Sequence, residues 1–404
     1  MSKIKAFCGV RFHGNNITQF ICPPYDIISK NEKERLKRLS AENMVKLELP
    51  DEASGLNKYA NASKLFNEWR KKGVLEQEKS PALYFYEQIF KDYGKKMVRR
   101  GFFAALKIEN PRGGSVKPHE KTLAKPKEDR LKLLRAVKAN LSPVFGLFND
   151  KSGKALKLCK EISKKQCDSK AVDPEGTLHK LWVVKDNAAV AEMVKELANQ
   201  KIFIADGHHR YETSWNYSQE MKNKDKKYSP DKEYNYVMIY LCPMEDPGLS
   251  IWPTHRVVEE PAEFEDRISK YFNVLPGNSL EKYSGKLPQA LLAWKKGRMR
   301  TLVLKDKNAL VKNMTGKCKA YRELGVSMLH SLLLNGVAPD KITYVKSEKE
   351  ALKLAKERHC LAVIAPSTPI EAVKEIALAN QTMPQKSTYF YPKVASGIVI
   401  HSVK

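Results

Sequence analysis

The chain has 404 residues, too many for one ordinary core, and its 42% hydrophobic and 29% charged residues are the balance of a globular, water-soluble protein. No segment approaches the ~18 consecutive apolar residues of a membrane span, and seven scattered cysteines, never spaced C-x-x-C, argue against a disulfide framework or a cysteine zinc site. The net charge of +26 is spread along the whole chain among acids, so the expected partners are anionic small molecules rather than a membrane or a specific nucleic-acid sequence.

The opening MSKIKAFCGV lacks a signal-peptide core, and a cytoplasmic location is expected. The double proline of CPPYD fixes a rigid loop carrying Tyr25 and Asp26, for which a structural role is expected. The alternation in NMVKLEL (Asn43 to Leu49) predicts a strand, and Tyr59, Ala62, Leu65, Phe66 and Trp69 mark one face of a helix. ALYFYEQIF and MVRRGFFAALKI flank KDYGKK, a hairpin with Gly94 in its turn. A lysine-rich loop then leads into a helix with Leu131, Leu134 and Leu141 on one face. Pro126, Glu128 and Asp129 suit its first turn, and Ser142-Pro143 stops it before the strand VFGLF.

Further strands are KLWVVKD and IFIA. YVMIYLCPM and LSIWPTHRVV are expected to pair as a hairpin across Asp246-Pro247-Gly248. ITYV, SEKEALKLAKERH and CLAVIA form a β-α-β pattern. The fold class is therefore mixed α/β (α+β), with domains expected over 1–150, 151–260 and 261–404.

One stretch concentrates chemistry. In IFIADGHHRYET a buried strand runs into Asp206, Gly207, His208, His209 and Arg210, and a helix follows. A helix start offers free N–H groups and a positive dipole to an anion, and Gly207 lets backbone approach it. Arg210, its head group facing solvent or ligand, can grip phosphate with a two-pronged geometry that lysine lacks. The histidines can donate hydrogen bonds or move protons, and Asp206 is suited to orient a histidine, hold a cation or cap the helix.

A second cluster is KPHEKTLAKPKEDR. Here Lys117, Lys121, Lys125, Lys127 and Arg130 surround His119 and Glu120, and Gly113 and Gly114 precede them. Such a loop can close over an anionic substrate, with Glu120 as the carboxylate base. In PTHRVV, His255 and Arg256 alternate to opposite faces of a strand, and His255 is the one assigned to the site. Walker-type, G-x-G-x-x-G and G-x-S-x-G loops are absent from the sequence.

CPPYDII, NMVKLELP, LYFYEQ, RRGFFAALKIE, PHEKTLAKPKEDRLKLLRAVKANLSPVFGLF, IADGHHRYET, PMEDPGL, PTHRVV and MPQKSTYFYPK occur in that order. Together they resemble the microbial domain-of-unknown-function family 1015 over about residues 5 to 400. Cys22 stands where that family suggests alanine. The Asp-Gly-His-His-Arg turn is similar to the phosphate-binding turn of the ParB and sulfiredoxin-like superfamily, which includes free-serine kinases that use ADP. That resemblance implies phosphate contacts at Gly207, His208, His209 and Arg210, within a mixed-sheet protein.

The expected function is phosphoryl transfer between a nucleotide, ADP or ATP, and a small hydroxyl metabolite of the serine/phosphoserine type, in either direction. Asp206, His119, Glu120, His208 and His209 are the catalytic candidates. Gly207, Arg210, Lys121, Lys127, Arg130 and His255 are the phosphate- or nucleotide-binding ones. Magnesium is an expected cofactor, with Asp206 as its candidate ligand. The rivals are a non-catalytic ParB-like nucleotide- or DNA-binding regulator and a metal-dependent hydrolase.

Overall fold

The computed structural model describes residues 3–53, 55–111, 113–120, 122, 124–276 and 290–404. The chain forms two compact units: Met1–Lys117, Thr122–Ser250 and Pro392–Lys404 make the first, Pro118–Lys121 and Ile251–Tyr391 the second. Residues expected in separate N-terminal and central domains share the first unit's sheet, because their strands pair with one another.

That sheet has nine strands among the described residues. Its order is Val116–Lys117, Ile202–Asp206, Val144–Phe148, Tyr236–Pro243, Lys95–Lys107, Leu83–Asp92, Leu178–Val184 and Ser169–Val172, with Ile4–Lys5 added against Lys95–Lys107. The sheet is mixed: Tyr236–Pro243 runs parallel to Val144–Phe148 and antiparallel to Lys95–Lys107. The expected hairpin forms from Tyr84↔Phe103 to Asp92↔Lys95, and Tyr93 and Gly94 turn it with positive φ of 45° and 82°. Phe85, Phe102, Phe148, Ile202, Ile204 and Leu241 are buried in one core under the sheet, each contributing about 1.5–3 kcal/mol of apolar burial.

Two local expectations are corrected. Val45–Glu48 is a helical turn, not a strand. Buried Asn43 accepts from the Val45 N–H at 3.0 Å and donates to the carbonyls of Gln19 and Ile21, so a local side-chain-to-backbone contact overrides the alternation. The helix Ala124–Val137 has Pro126 in its first turn but ends before Leu141, with Lys138 at φ 55°.

The second unit carries a six-stranded sheet in the order Phe272–Pro276, Arg298–Leu304, Ala290–Lys295, Leu361–Ile364, His255–Val258 and Thr343–Val345. His255–Val258 pairs here and not with Tyr236–Pro243, so the hairpin expected across Asp246-Pro247-Gly248 does not form, although the turn itself does: Leu249 N donates to the Asp246 carbonyl at 3.0 Å. The β-α-β pattern is present, with His255–Val258 inserted between its two strands. Phe264, Leu302, Leu329, Leu332, Val363 and Ile376 lie in this unit's core. No described helix is long and apolar enough to cross a membrane.

Candidate functional site

In the first unit the strand Ile202–Asp206 is buried through Ala205, and its pairing with Val144–Phe148 slips between Ile204 and Asp206. Gly207 then turns the chain at φ 86° into the helix His208–Lys224. The left-handed φ disfavours any residue but glycine, and a Cβ would sit 2.9 Å from Arg210 Nε, so that guanidinium would have to move aside. Arg210 folds back across the glycine. It ion-pairs with Asp206 and donates to the Pro143 carbonyl.

Asp206 does not cap the helix, whose N-cap is Gly207 with no side-chain cap hydrogen bond. It accepts from Arg210 on one oxygen and from Lys393 on the other. Arg210 is correspondingly less exposed than expected, with 11% of its side chain accessible. His208 is buried, and burial pushes its pKa down to about 3, so it is neutral near pH 7.

Arg210 lines a cavity of about 50 Å³ whose other walls include Glu48, Arg130, Ser142, Thr213 and Ser214. That volume is roughly three or four water molecules, the scale of one small oxyanion. Arg130 is 7% exposed and lies 4.2 Å above the Tyr25 ring. Its Nη1 donates to the Glu48 carbonyl at 2.9 Å and to Glu48 Oε2 at 3.2 Å, while Nε and Nη2 hold Asp129. The second Glu48 oxygen accepts from Ser396 Oγ at 2.9 Å. Burial raises the Tyr25 hydroxyl pKa to about 12. Lys127 is committed to Glu212 at 2.9 Å, and Thr122 donates to the same carboxylate at 2.7 Å.

His209 is half-buried in the first turn of the helix His208–Lys224, and the other candidates belong to the second unit or are undescribed. His119 is buried, with Nε2 at 3.2 Å from Thr388 Oγ1. Glu120 Oε1 accepts from the Lys386 N–H at 2.7 Å. His255 and Arg256 are both buried. Burial lowers the His255 pKa to about 4 and the Arg256 pKa to about 10. Arg256 donates to the carbonyls of Thr254, Gln385 and Lys386. Lys121 lies outside the described residues.

Four residues around the turn escaped the sequence reading: Glu48, Tyr25, Lys393 and Ser396. Tyr25 carried a signal in the rigid CPPYD loop. Glu48 carried a misleading one, since a strand would have placed it with Lys46 on the solvent face. Lys393 lies 187 residues from Asp206 and had none.

Among the described residues, no group of three or more His, Cys, Asp or Glu side chains is arranged to hold a metal ion. Both Asp206 oxygens serve Arg210 and Lys393, so a magnesium ion there would have to displace one of these cations.

Fold and site together define a mixed α/β protein with an arginine-lined cavity that Arg210 of the strand-to-helix turn helps to line. The chain belongs to the family described as "Protein of unknown function (DUF1015)", whose model matches residues 4–327. No curated protein matches the sequence. Solved structures with partial likeness include a conserved hypothetical protein from Pyrococcus furiosus, at 11% identity and TM-score 0.36 over 69% of this chain and 89% of that one. A free serine kinase mutant in complex with ADP gives 12%, 0.37, 68% and 84%. SbnI with a C-terminal truncation from Staphylococcus aureus gives 9%, 0.37, 70% and 82%.

Proposed function

We propose that this protein transfers a phosphoryl group between a nucleotide, ADP or ATP, and a small hydroxyl metabolite of the serine class, and that the cavity lined by Arg210 of the Asp206–Arg210 turn holds the phosphate. One observation carries the reading: Arg130, Arg210 and Glu48 line the same cavity, together with Ser142, Thr213 and Ser214. Two guanidiniums supply planar, charge-assisted donors to phosphate oxygens. Glu48 is the acceptor for the proton of the attacking hydroxyl. The oxygen–phosphorus bond forms as the bond to the leaving phosphate oxygen breaks, and the arginines neutralise the charge that spreads over the phosphoryl oxygens.

The pairs Arg130–Glu48 and Arg210–Asp206 fix both guanidiniums before a ligand arrives, which lowers the cost of ordering them on binding. Neutral His208 serves as a hydrogen-bond partner and not as a fixed charge. Glu120 is the other carboxylate proposed as base, so the roles of Glu48 and Glu120 are separated by substituting each with glutamine.

Phosphorus NMR on the protein with phosphoserine, or with serine plus ADP or ATP, tests the reading. New phosphate resonances that vanish in Arg210→Lys and Glu48→Gln support it. No turnover with any of these mixtures, together with no phosphoserine binding by calorimetry, sinks it.

A further inference from the structure

A second cavity lies in the other unit and takes no part in the proposed reaction. It has about 530 Å³ and is lined by Glu260, Trp294, Lys295, Lys296, Lys356 and His359, with Ala355 and Cys360 among its remaining walls. That volume is within the ~300–1,000 Å³ of small-molecule sites.

Two tight backbone features build it. The strands Ala290–Lys295 and Arg298–Leu304 are joined by Lys296 and Gly297 alone, at φ 45° and 80°, a two-residue turn that projects Lys296 at the rim. The helix Glu348–Glu357 ends with His359 at φ 54° and the Cys360 N–H donating to the Ala355 carbonyl at 2.9 Å, so the chain reverses and brings Lys356, His359 and Cys360 to one side. Arg358, His359 and Cys360 N–H groups occupy the last carbonyls, which limits the bare acceptors that would repel an anion.

The charges in the lining are unequal. Glu260 is matched by Lys295 at 2.6 Å. Lys296 and Lys356 have no ion-pair partner among the described residues and are exposed. The half-buried Trp294 packs against the core of Val257, Ala351, Ala355 and Ala362 and offers a flat apolar wall.

We propose that this cavity binds a planar anion, an aromatic ring bearing a phosphate or a carboxylate, with the ring against Trp294 and the anion between Lys296 and Lys356. Stacking on an indole favours a flat ring. Two unmatched ammonium groups favour negative charge, and they disfavour a cation for the same reason.

Cys360 is a built-in reporter, since it is half-buried in the wall and unpaired. The full chain is alkylated with iodoacetamide, and the Cys360 peptide is followed by mass spectrometry during titration with AMP or with salicylate. Half-buried Cys8, Cys167 and Cys318 serve as internal controls.

The expected result is slower labelling of Cys360 alone. The protecting concentration should rise about tenfold in the Lys296→Ala/Lys356→Ala double variant, whose exposed positions leave folding intact. Protection by AMP only assigns a phosphate headgroup, and protection by salicylate only assigns a carboxylate. The proposal is overturned if neither anion protects at millimolar concentration, or if adenosine and benzyl alcohol protect as well as the anions do. Because the readout is local to Cys360, it is independent of nucleotide binding at the Arg130–Arg210 cavity.

Discussion

Arg130 Nη1 bridges the main-chain carbonyl and the side chain of Glu48, at 2.9 and 3.2 Å, although 82 residues separate them in the chain. The two side chains are 7% and 2% exposed. Breaking a pair this deeply buried from one side leaves a charge without its partner, a loss of about 3–5 kcal/mol. Glu48→Ala should therefore lower the denaturant-derived unfolding free energy by that order. Glu48→Gln keeps one amide oxygen to accept from Arg130, while its N–H group can donate to Ser396 Oγ, so it should cost less while abolishing turnover. A Gln variant that unfolds as readily as the Ala variant would make Glu48 purely structural. Glu120→Gln, assayed beside it, should retain turnover if Glu48 is the base.

Arg210→Lys should weaken binding of the phosphorylated ligand roughly ten- to a hundredfold, since a lysine cannot reproduce the planar fork. The free protein should also lose about 1–3 kcal/mol, because Asp206 and the Pro143 carbonyl both depend on the guanidinium in a largely buried setting. Calorimetric titration and thermal melts on both proteins check the pair of effects. Unchanged affinity for phosphoserine would remove Arg210 from the phosphate site.

Acid should unfold the protein through its buried histidines. His208, His255 and His330 have folded pKa values lowered by burial to about 3, 4 and 3, below the usual 6.5. For a depressed pKa, stability is complete above the unfolded value and is lost as pH falls from about 6.5 towards the folded values. Each histidine contributes on the order of 3–5 kcal/mol across the full window. Urea midpoints at pH 7, 5 and 4 should fall steadily, and His208→Gln should flatten that slope. A slope unchanged by the substitution contradicts the burial effect at His208.

Asp246 works in the opposite direction. Burial raises its carboxyl pKa to about 6 from 3.8, against the backbone N–H donors of Gly248 and Arg100. For a raised pKa, the group's stabilising contribution is complete below the unfolded value and declines as pH rises through about 6, a loss of about 3 kcal/mol. Asp246→Asn should therefore gain stability relative to the parent between pH 5 and pH 8. Urea titrations at those two pH values give the comparison, and an equal difference at both would refute the assignment.

Duplex DNA should bind weakly despite the net charge of +26. Lysines scattered over a surface give sequence-blind affinity that falls steeply with salt. Fluorescence anisotropy near 150 mM salt should show no selectivity between unrelated duplexes. Sub-micromolar, sequence-selective binding at that salt would favour the ParB-like regulatory reading over phosphoryl transfer.

Much of the architecture is legible locally. The Leu83–Asp92 and Lys95–Lys107 hairpin follows from period-two alternation and Gly94, and the strand–Gly207–helix turn follows from the apolar run that ends at Asp206. Both depend on contacts within a few residues, which a one-dimensional pattern records. Glu48 shows where local pattern fails: Val45, Leu47 and Leu49 alternate well enough for a strand, yet the buried Asn43 side chain accepts from the Val45 N–H at the start of a helical turn, and Glu48 is buried.

The sequence by itself determined the mixed α/β class and the strand–glycine–helix turn with the residues that build it. Tertiary structure alone decided that Glu48, Arg130 and Arg210 share one cavity, that Lys393 returns from the far end of the chain to Asp206, and that the second unit takes His119, Glu120 and His255. The physical reason is the range of the forces involved. Alternation, capping and turn chemistry act between near neighbours, whereas the pairing of a buried charge is set by whichever distant segment can best offset its desolvation.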